Sequence, residues 1–290
     1  MNQDFAYFAG CSAKGSCNEL DTSTQAVATH FGVTLHKLEN PGCTGARQFR
    51  AISEHLHLVA NGRILALAEA EGHDLAVVCD SCLLNLTEAN QRLQSDAEAL
   101  ARVNQSLAET GLHYSGATTV KHFLWILLED IGEQRIQGAV TRPLSDLKIG
   151  PFYGCHIRRP ATAHDPVAAD RMTSLERLCR LVGAEPVTYD GADKCCGFHV
   201  LATDQNIAFD MSAGHLAAAE GQAADCLVTP CPLCHTVLDA HQPDMARRTG
   251  RPSQLPILHV AQLVGLAVGL PAEALALSNH VVNTSKITAG

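Results

Sequence analysis

The chain has 290 residues, a net charge of −9, a pI near 5.9, and 46% apolar but only 4% aromatic residues. An acidic balance of this kind argues against nucleic acid, whose affinity rests on Lys and Arg meeting phosphates, and no basic run suits an anionic membrane surface. Twelve cysteines, with no charged-then-apolar leader in MNQDFAYFAGCS, point to a reducing, cytoplasmic setting where thiols act as metal ligands or redox groups rather than disulfides.

In chain order, Phe5 to Phe8 reads as a short buried strand that ends at a Gly-Cys, Cys11. A second extended run, Val33 to Lys37, leads into PGCTG and Cys43. A third, Leu75 to Val78, ends at the C-x-x-C of Cys79 and Cys82, where a helix begins. VKHFLWIL follows around His122. In IQGAVTRPLSDLKIG, Gly138 and Pro143 break the pattern. Then the series restarts. Ile149 to Tyr153 ends at Cys155, and TSLERLCRLVG reads as a helix with Leu175, Leu178, Cys179 and Val182 on one face. Pro186 to Tyr189 leads to Cys195 and Cys196, and Leu227 to Thr229 ends at Cys231 and Cys234. ILHVAQLV surrounds His259. The apolar stretch from Pro256 to Leu270 falls short of the ~20 residues a bilayer span needs; it is expected to be a helix docked on the body of the protein or on a partner. The last dozen residues, 279–290, lack an apolar period and are expected to be disordered.

The landmarks recur in the same order, which implies an internal duplication with its seam near residue 144. Cys11 and Cys155 are 144 apart, Cys43 and Cys196 153 apart, and each member of the C-x-x-C pairs 152 apart. The expected architecture is α/β: two pseudo-symmetric domains, 1–143 and 144–290, each a small parallel sheet flanked by helices. The cysteines then fall where strands end and helices begin, the crevice in which open α/β sheets hold ligands. Cys82 and Cys234 fall at helix N-termini, where the dipole favours the thiolate.

Thiolates are soft donors suited to iron–sulfur clusters and to zinc. The second half offers Cys155, Cys195, Cys196, Cys231 and Cys234, one more than a cubane cluster or a zinc ion takes. The first half offers Cys11, Cys43, Cys79 and Cys82, with Gly42 at the position matched to Cys195, and four thiols suit a cubane or a zinc ion equally by count. Cys17 has no counterpart and is not expected to fill the gap; Cys179 and Cys226 are expected to be buried, inert thiols. His122 and His259 occupy matched places and are candidates to donate an N–H toward a cysteine or cluster sulfur. His156, His199 and His235 follow cysteines closely and are candidate proton donors. Arg158 and Arg159, just after Cys155, are candidates to hold an anionic substrate group, or else a solvated pair. No ferredoxin-type run and no G-x-G-x-x-G occurs, so electrons need a partner to bring them.

The second-half pattern is Cys155, thirty-nine residues, Cys195-Cys196, thirty-four residues beginning with Gly197, then Cys231-Pro232-Leu233-Cys234. It resembles the cysteine-rich CCG domain, and two such domains spanning nearly the whole chain resemble the B subunit of heterodisulfide reductase. The resemblance implies a noncubane [4Fe–4S] cluster on the five C-terminal cysteines, with a second iron–sulfur or zinc site on the N-terminal four. It implies disulfide, thiol or carrier-bound sulfur redox chemistry, as in the heterodisulfide-reductase-like complexes of bacterial sulfur oxidation. The implied partners are the ferredoxin-type iron–sulfur subunit and the flavoprotein subunit of such complexes, together with a lipoate-carrying protein. CCG subunits of unusual succinate:quinone reductases and of lactate or glycolate oxidising systems imply an alternative task, electron relay.

Overall fold

The structure, a computed structural model, describes residues 4–158 and 169–288. Two four-stranded parallel sheets repeat one topology. The first contains β1 (Asp4–Phe8), β2 (Thr34–Lys37), β3 (Leu75–Val77) and β4 (Val120–His122), in the order β2-β1-β3-β4. The second contains β5 (Lys148–Pro151), β6 (Glu185–Pro186), β7 (Cys226–Thr229) and β8 (Ile257–His259), in the order β6-β5-β7-β8. Ala6 pairs with Leu75 in one sheet as Gly150 pairs with Leu227 in the other, so the registers match as well. The expected α/β pair of pseudo-symmetric units is what the chain forms.

The central strands are continuously apolar because helices cover both faces of each sheet. Phe5, Ala6, Tyr7 and Phe8 are all buried, as are Leu75, Ala76 and Val77. The predicted helix forms as Ser174–Leu181, with Leu175, Leu178 and Cys179 inward and Val182 buried just beyond it. Six predicted strands appear, with ends shifted by one to three residues. The fourth strand of each sheet was not expected. VKH and ILH are strands of three residues that run directly into helical turns, so their apolar pattern reads as helix alone. The Pro256–Leu270 stretch thus divides into β8 and the helix Val260–Ala267, every residue of which is buried. That helix docks on Asn18–His30 of the first half and ties the two units together.

The carboxyl tail differs from expectation. Val282 and Ile287 are buried, and Asp239 accepts backbone N–H bonds from Val281 (2.8 Å) and Val282 (3.2 Å), so the tail is anchored through Thr288. Among the described residues, no helix is long and apolar enough to cross a membrane.

Candidate functional site: two abutting cysteine nests

Each nest assembles at the carboxyl ends of its strands. β1 and β5 lead into a glycine with positive φ, Gly10 (+79°) and Gly154 (+66°), which turns the chain and delivers Cys11 or Cys155. The glycines also permit close approach. A Cβ at Gly10 would stand 3.4 Å from Cys82 Sγ, and one at Gly154 only 2.8 Å from Cys234 Sγ. β3 and β7 lead into Cys79 and Cys231, the N-caps of helices Asp80–Ser95 and Pro232–Ala240. Cys82 and Cys234 lie in the first turns, as expected.

In the N-terminal nest Cys11 Sγ is 3.9 Å from Cys43 Sγ, and that contact pulls the Cys11 thiol down to about 6. In the C-terminal nest the Cys155 thiol faces Cys195, Cys195 faces Cys196, Cys196 faces Cys234, and Cys234 faces Cys231. Cys195 is held well below an ordinary thiol by its bonds from Cys155 and Cys196. Burial opposes ionisation of Cys231, but bonds from Cys234 and Cys79 outweigh it and lower that thiol too. The structure thus brings all five C-terminal cysteines together, and gathers the N-terminal four around one small cleft. Among the described residues, no three His, Cys, Asp or Glu side chains gather closely enough to wrap a single metal ion.

The structure corrects one sequence match. Gly42 is not the counterpart of Cys195. Gly45 N–H bonds Cys43 Sγ at 3.4 Å, as Gly197 N–H bonds Cys195 Sγ at 3.5 Å. Gly45 (φ +83°) and Gly197 (φ +88°) share the left-handed turn. Asn61 donates to the carbonyl of Thr44, as Ser212 donates to that of Cys196. Cys43 therefore matches Cys195, and Thr44 matches Cys196. The absent fifth thiol is a buried threonine whose Oγ1 donates to Cys82 Sγ at 3.5 Å. The triplets CTG and CCG at one constant offset of 152 carry this signal in the sequence.

The two nests touch. Cys79 Sγ lies 4.0 Å from Cys231 Sγ across the pseudo-twofold axis, both buried. Each C-x-x-C also lends residues to the other nest: Pro232 and Leu233 line the N-terminal cleft, while the Asp80 carboxylate reaches the C-terminal nest. Asp80 is 2% exposed. Burial, then the facing Cys231 and Cys82, push its carboxyl well above the usual range. Sequence reasoning missed it, because a residue between two cysteines of one nest gives no sign that it serves the other.

His122 and His259 end β4 and β8 and cap the following helices. His122 Nδ1 accepts from Leu124 N–H (3.1 Å) and His259 Nδ1 from Ala261 N–H (3.5 Å). These bonds place the ring proton on Nε2, which in His259 donates to the Pro230 carbonyl (3.3 Å) and in His122 faces Asp80 Oδ1 (3.5 Å). Both rings therefore brace the C-x-x-C loops, and the atoms their Nε2 faces are oxygens. Burial lowers His259 to about 4.

His156 and His199 stand together beside Cys155 and Cys195, ring centroids 5.2 Å apart, and burial followed by His199 lowers His156. His235 turns away, toward Glu19 of the first half (3.6 Å). The Arg158 guanidinium lies over the Tyr153 ring at 3.5 Å, bonds the Met172 carbonyl and faces Asp193 at 3.9 Å. Its side chain is 17% exposed, so it is no solvated surface cation. Arg159 lies outside the described residues. Cys17 packs between the halves, bonded by Thr236 Oγ1 and raised to about 11 by burial, away from the N-terminal nest. Cys179 and Cys226 are buried, as expected of inert thiols; burial raises Cys226 to about 12.

Paired parallel α/β sheets with a thiol cluster at each set of strand ends define a class of duplicated, cysteine-rich α/β proteins. The CCG family, described as a cysteine-rich domain, matches residues 5–87 and 149–239. The chain belongs to this CCG-domain family, among the relatives of the heterodisulfide reductase B subunit. It is 36% identical over 99% of its length, and all of the relative's, to the 8-methylmenaquinol:fumarate reductase membrane anchor subunit of Wolinella succinogenes. It is 28% identical, over 97% of its length and 95% of the relative's, to the B subunit of the ferredoxin/F(420)H(2)-dependent CoB-CoM heterodisulfide reductase of Methanosarcina acetivorans. A protein of Archaeoglobus profundus, itself described as like the heterodisulfide reductase B subunit, is also 28% identical, over 94% of this chain and 93% of the relative. Among solved structures, a hypothetical protein of Helicobacter pylori superposes on 98% of the chain with a TM-score of 0.79 at 16% identity; the chain spans about half of that protein. The relatives support an oxidoreductase role in general terms.

Proposed function

We propose that the chain is the cluster-bearing redox subunit of a multisubunit oxidoreductase, with its reactive site at the C-terminal nest. The observation that carries this reading is the convergence of five thiols, Cys155, Cys195, Cys196, Cys231 and Cys234, at one set of strand ends. Their chemistry fits a noncubane [4Fe–4S] cluster: all are soft donors, adjacent Cys195 and Cys196 present two sulfurs from one loop, and two of the thiols are already lowered toward thiolate. Such a cluster, when bound, supplies one-electron chemistry and an iron to which an outside sulfur can bind. Cys11, Cys43, Cys79 and Cys82 would hold a second, four-thiolate group, iron–sulfur or zinc, because Thr44 replaces the fifth thiol.

The first task this suits is redox chemistry on a disulfide, a thiol or carrier-bound sulfur, as the names of the methanogen relatives suggest. His156 and His199, paired beside Cys155 and Cys195, are placed to hold or release a proton there. A second task has its own support: 36% identity over the full length with one subunit of a menaquinol:fumarate reductase. There the chain would relay electrons between a quinol and a dicarboxylate site. Either task calls for a ferredoxin-type subunit and a flavoprotein subunit; a lipoate-carrying protein belongs to the first. Anaerobic purification of the complex, with iron, acid-labile sulfide and zinc determined, tests the cofactor. A colourless chain with zinc and no sulfide refutes it. Turnover of a disulfide or lipoyl substrate supports the first task; quinol-dependent fumarate reduction without it supports the second.

A further inference from the structure

Asp80 is a buried carboxylate in a place where burial is costly. It begins the helix Asp80–Ser95 of the first half but reaches across the pseudo-twofold axis. Its Oδ2 stands 4.0 Å from the point where a Gly154 side chain would begin, the same point that Cys234 Sγ approaches to 2.8 Å. Cys155 and Cys231 both lie within its electrostatic reach. Yet neither carboxylate oxygen has a hydrogen-bond partner, and no Lys or Arg pairs with it among the described residues. His122 Nε2 faces Oδ1 at 3.5 Å. A buried carboxyl without a cation stays protonated until a cation or a metal takes it up, and this one faces a nest of thiols suited to metal. The matched residue in the other loop is Pro232, which has no donor to offer the N-terminal nest.

On the cluster reading above, we infer that Asp80 is an oxygen donor from the first half to the iron held by the five cysteines of the second. The C-terminal nest then has five thiolates and one carboxylate, drawn from both halves of the duplication. The N-terminal nest has four thiolates and the Thr44 hydroxyl. His122, with Nε2 at 3.5 Å from Oδ1, packs against the carboxyl within its own half.

The test uses the full chain, made anaerobically and loaded with 57Fe and sulfide, read by Mössbauer spectroscopy alongside iron content. An oxygen-bound iron shows a larger isomer shift than all-thiolate iron. The wild-type chain is expected to show one such component. Asp80→Asn should lose or shift it, and Asp80→Cys should move it toward the thiolate signal with iron content retained. A spectrum of Asp80→Asn that superimposes on wild type overturns the inference while leaving the cluster reading intact. If Asp80→Asn takes up no iron, Asp80→Cys decides: restored loading supports the donor role, and absent loading overturns it. A wild-type chain that binds neither iron nor sulfide fails earlier, and removes the cluster reading together with this one.

Discussion

At the scale of single residues, the glycine before each first cysteine does as much for a nest as a thiol does. An alanine at Gly154 must adopt φ +66° and place its Cβ 2.8 Å from Cys234 Sγ. An alanine at Gly10 meets Cys82 Sγ at 3.4 Å, so it carries mainly the left-handed strain, ~1–2 kcal/mol. Gly154→Ala should therefore lose most of the iron bound in the C-terminal nest, whereas Gly10→Ala should keep its metal and melt a few degrees lower. Equal iron loss in both variants would contradict this account. Thr44 allows a complementary experiment. Thr44→Cys supplies the thiol missing from the N-terminal nest at the position matched to Cys196, and should raise iron per chain above the wild-type value. An unchanged iron content would show that a fifth thiol is not what separates the nests. The cysteines of both nests were legible in the sequence from spacing alone. The match of Gly42 to Cys195 was not sound, because pairing Cys43 with the second cysteine of the pair ignored the glycine turn that fixes the loop. Asp80 was invisible for a different reason: the nest it reaches belongs to the other half of the chain.

At the scale of elements, the central strands of each sheet were legible because a parallel strand buried on both faces reads as an unbroken apolar run. The fourth strands were hidden, since His122 and His259 serve at once as the last strand residue and the helix cap, leaving no polar turn between. This dual role sets their value to the fold. His259 accepts from Ala261 N–H, its own N–H is held by Gln262 Oε1 (2.9 Å), and its Nε2–H holds the carbonyl next to Cys231. Removing a cap costs about 0.5–2 kcal/mol, and orphaning a buried carbonyl adds ~1–3 kcal/mol. His259→Ala should thus destabilise the chain by about 2–4 kcal/mol in anaerobic urea unfolding. It should also release metal faster from the C-terminal nest than from the N-terminal one. Uniform release from both nests would mean that the ring supports the sheet generally and not the Cys231 loop.

At the scale of the whole molecule, the halves are joined by more than the abutting nests. Glu19, on the helix Asn18–His30, is buried against the second half, with His235 at 3.6 Å and Asp239 close enough to repel it. Burial, and then Asp239, raise Glu19 to about 7, while burial raises Asp239 to about 6. Burial keeps His235 neutral, so it offers no compensating charge. A carboxyl whose folded value lies above its unfolded value binds more protons when folded. Its contribution is full below about 4.5 and is lost as pH rises through about 7. The joint between the halves should therefore loosen toward neutral pH, where an ionised Glu19 lies buried without a cation. Glu19→Gln removes that penalty while keeping the shape. The variant should match the wild-type chain in urea midpoint at pH 5 and exceed it at pH 8, by up to ~3 kcal/mol. An advantage of the same size at both pH values would place the effect in packing and not in ionisation. A variant weaker than wild type at pH 8 would mean that Glu19 works as an anion, holding the halves together through a charged His235.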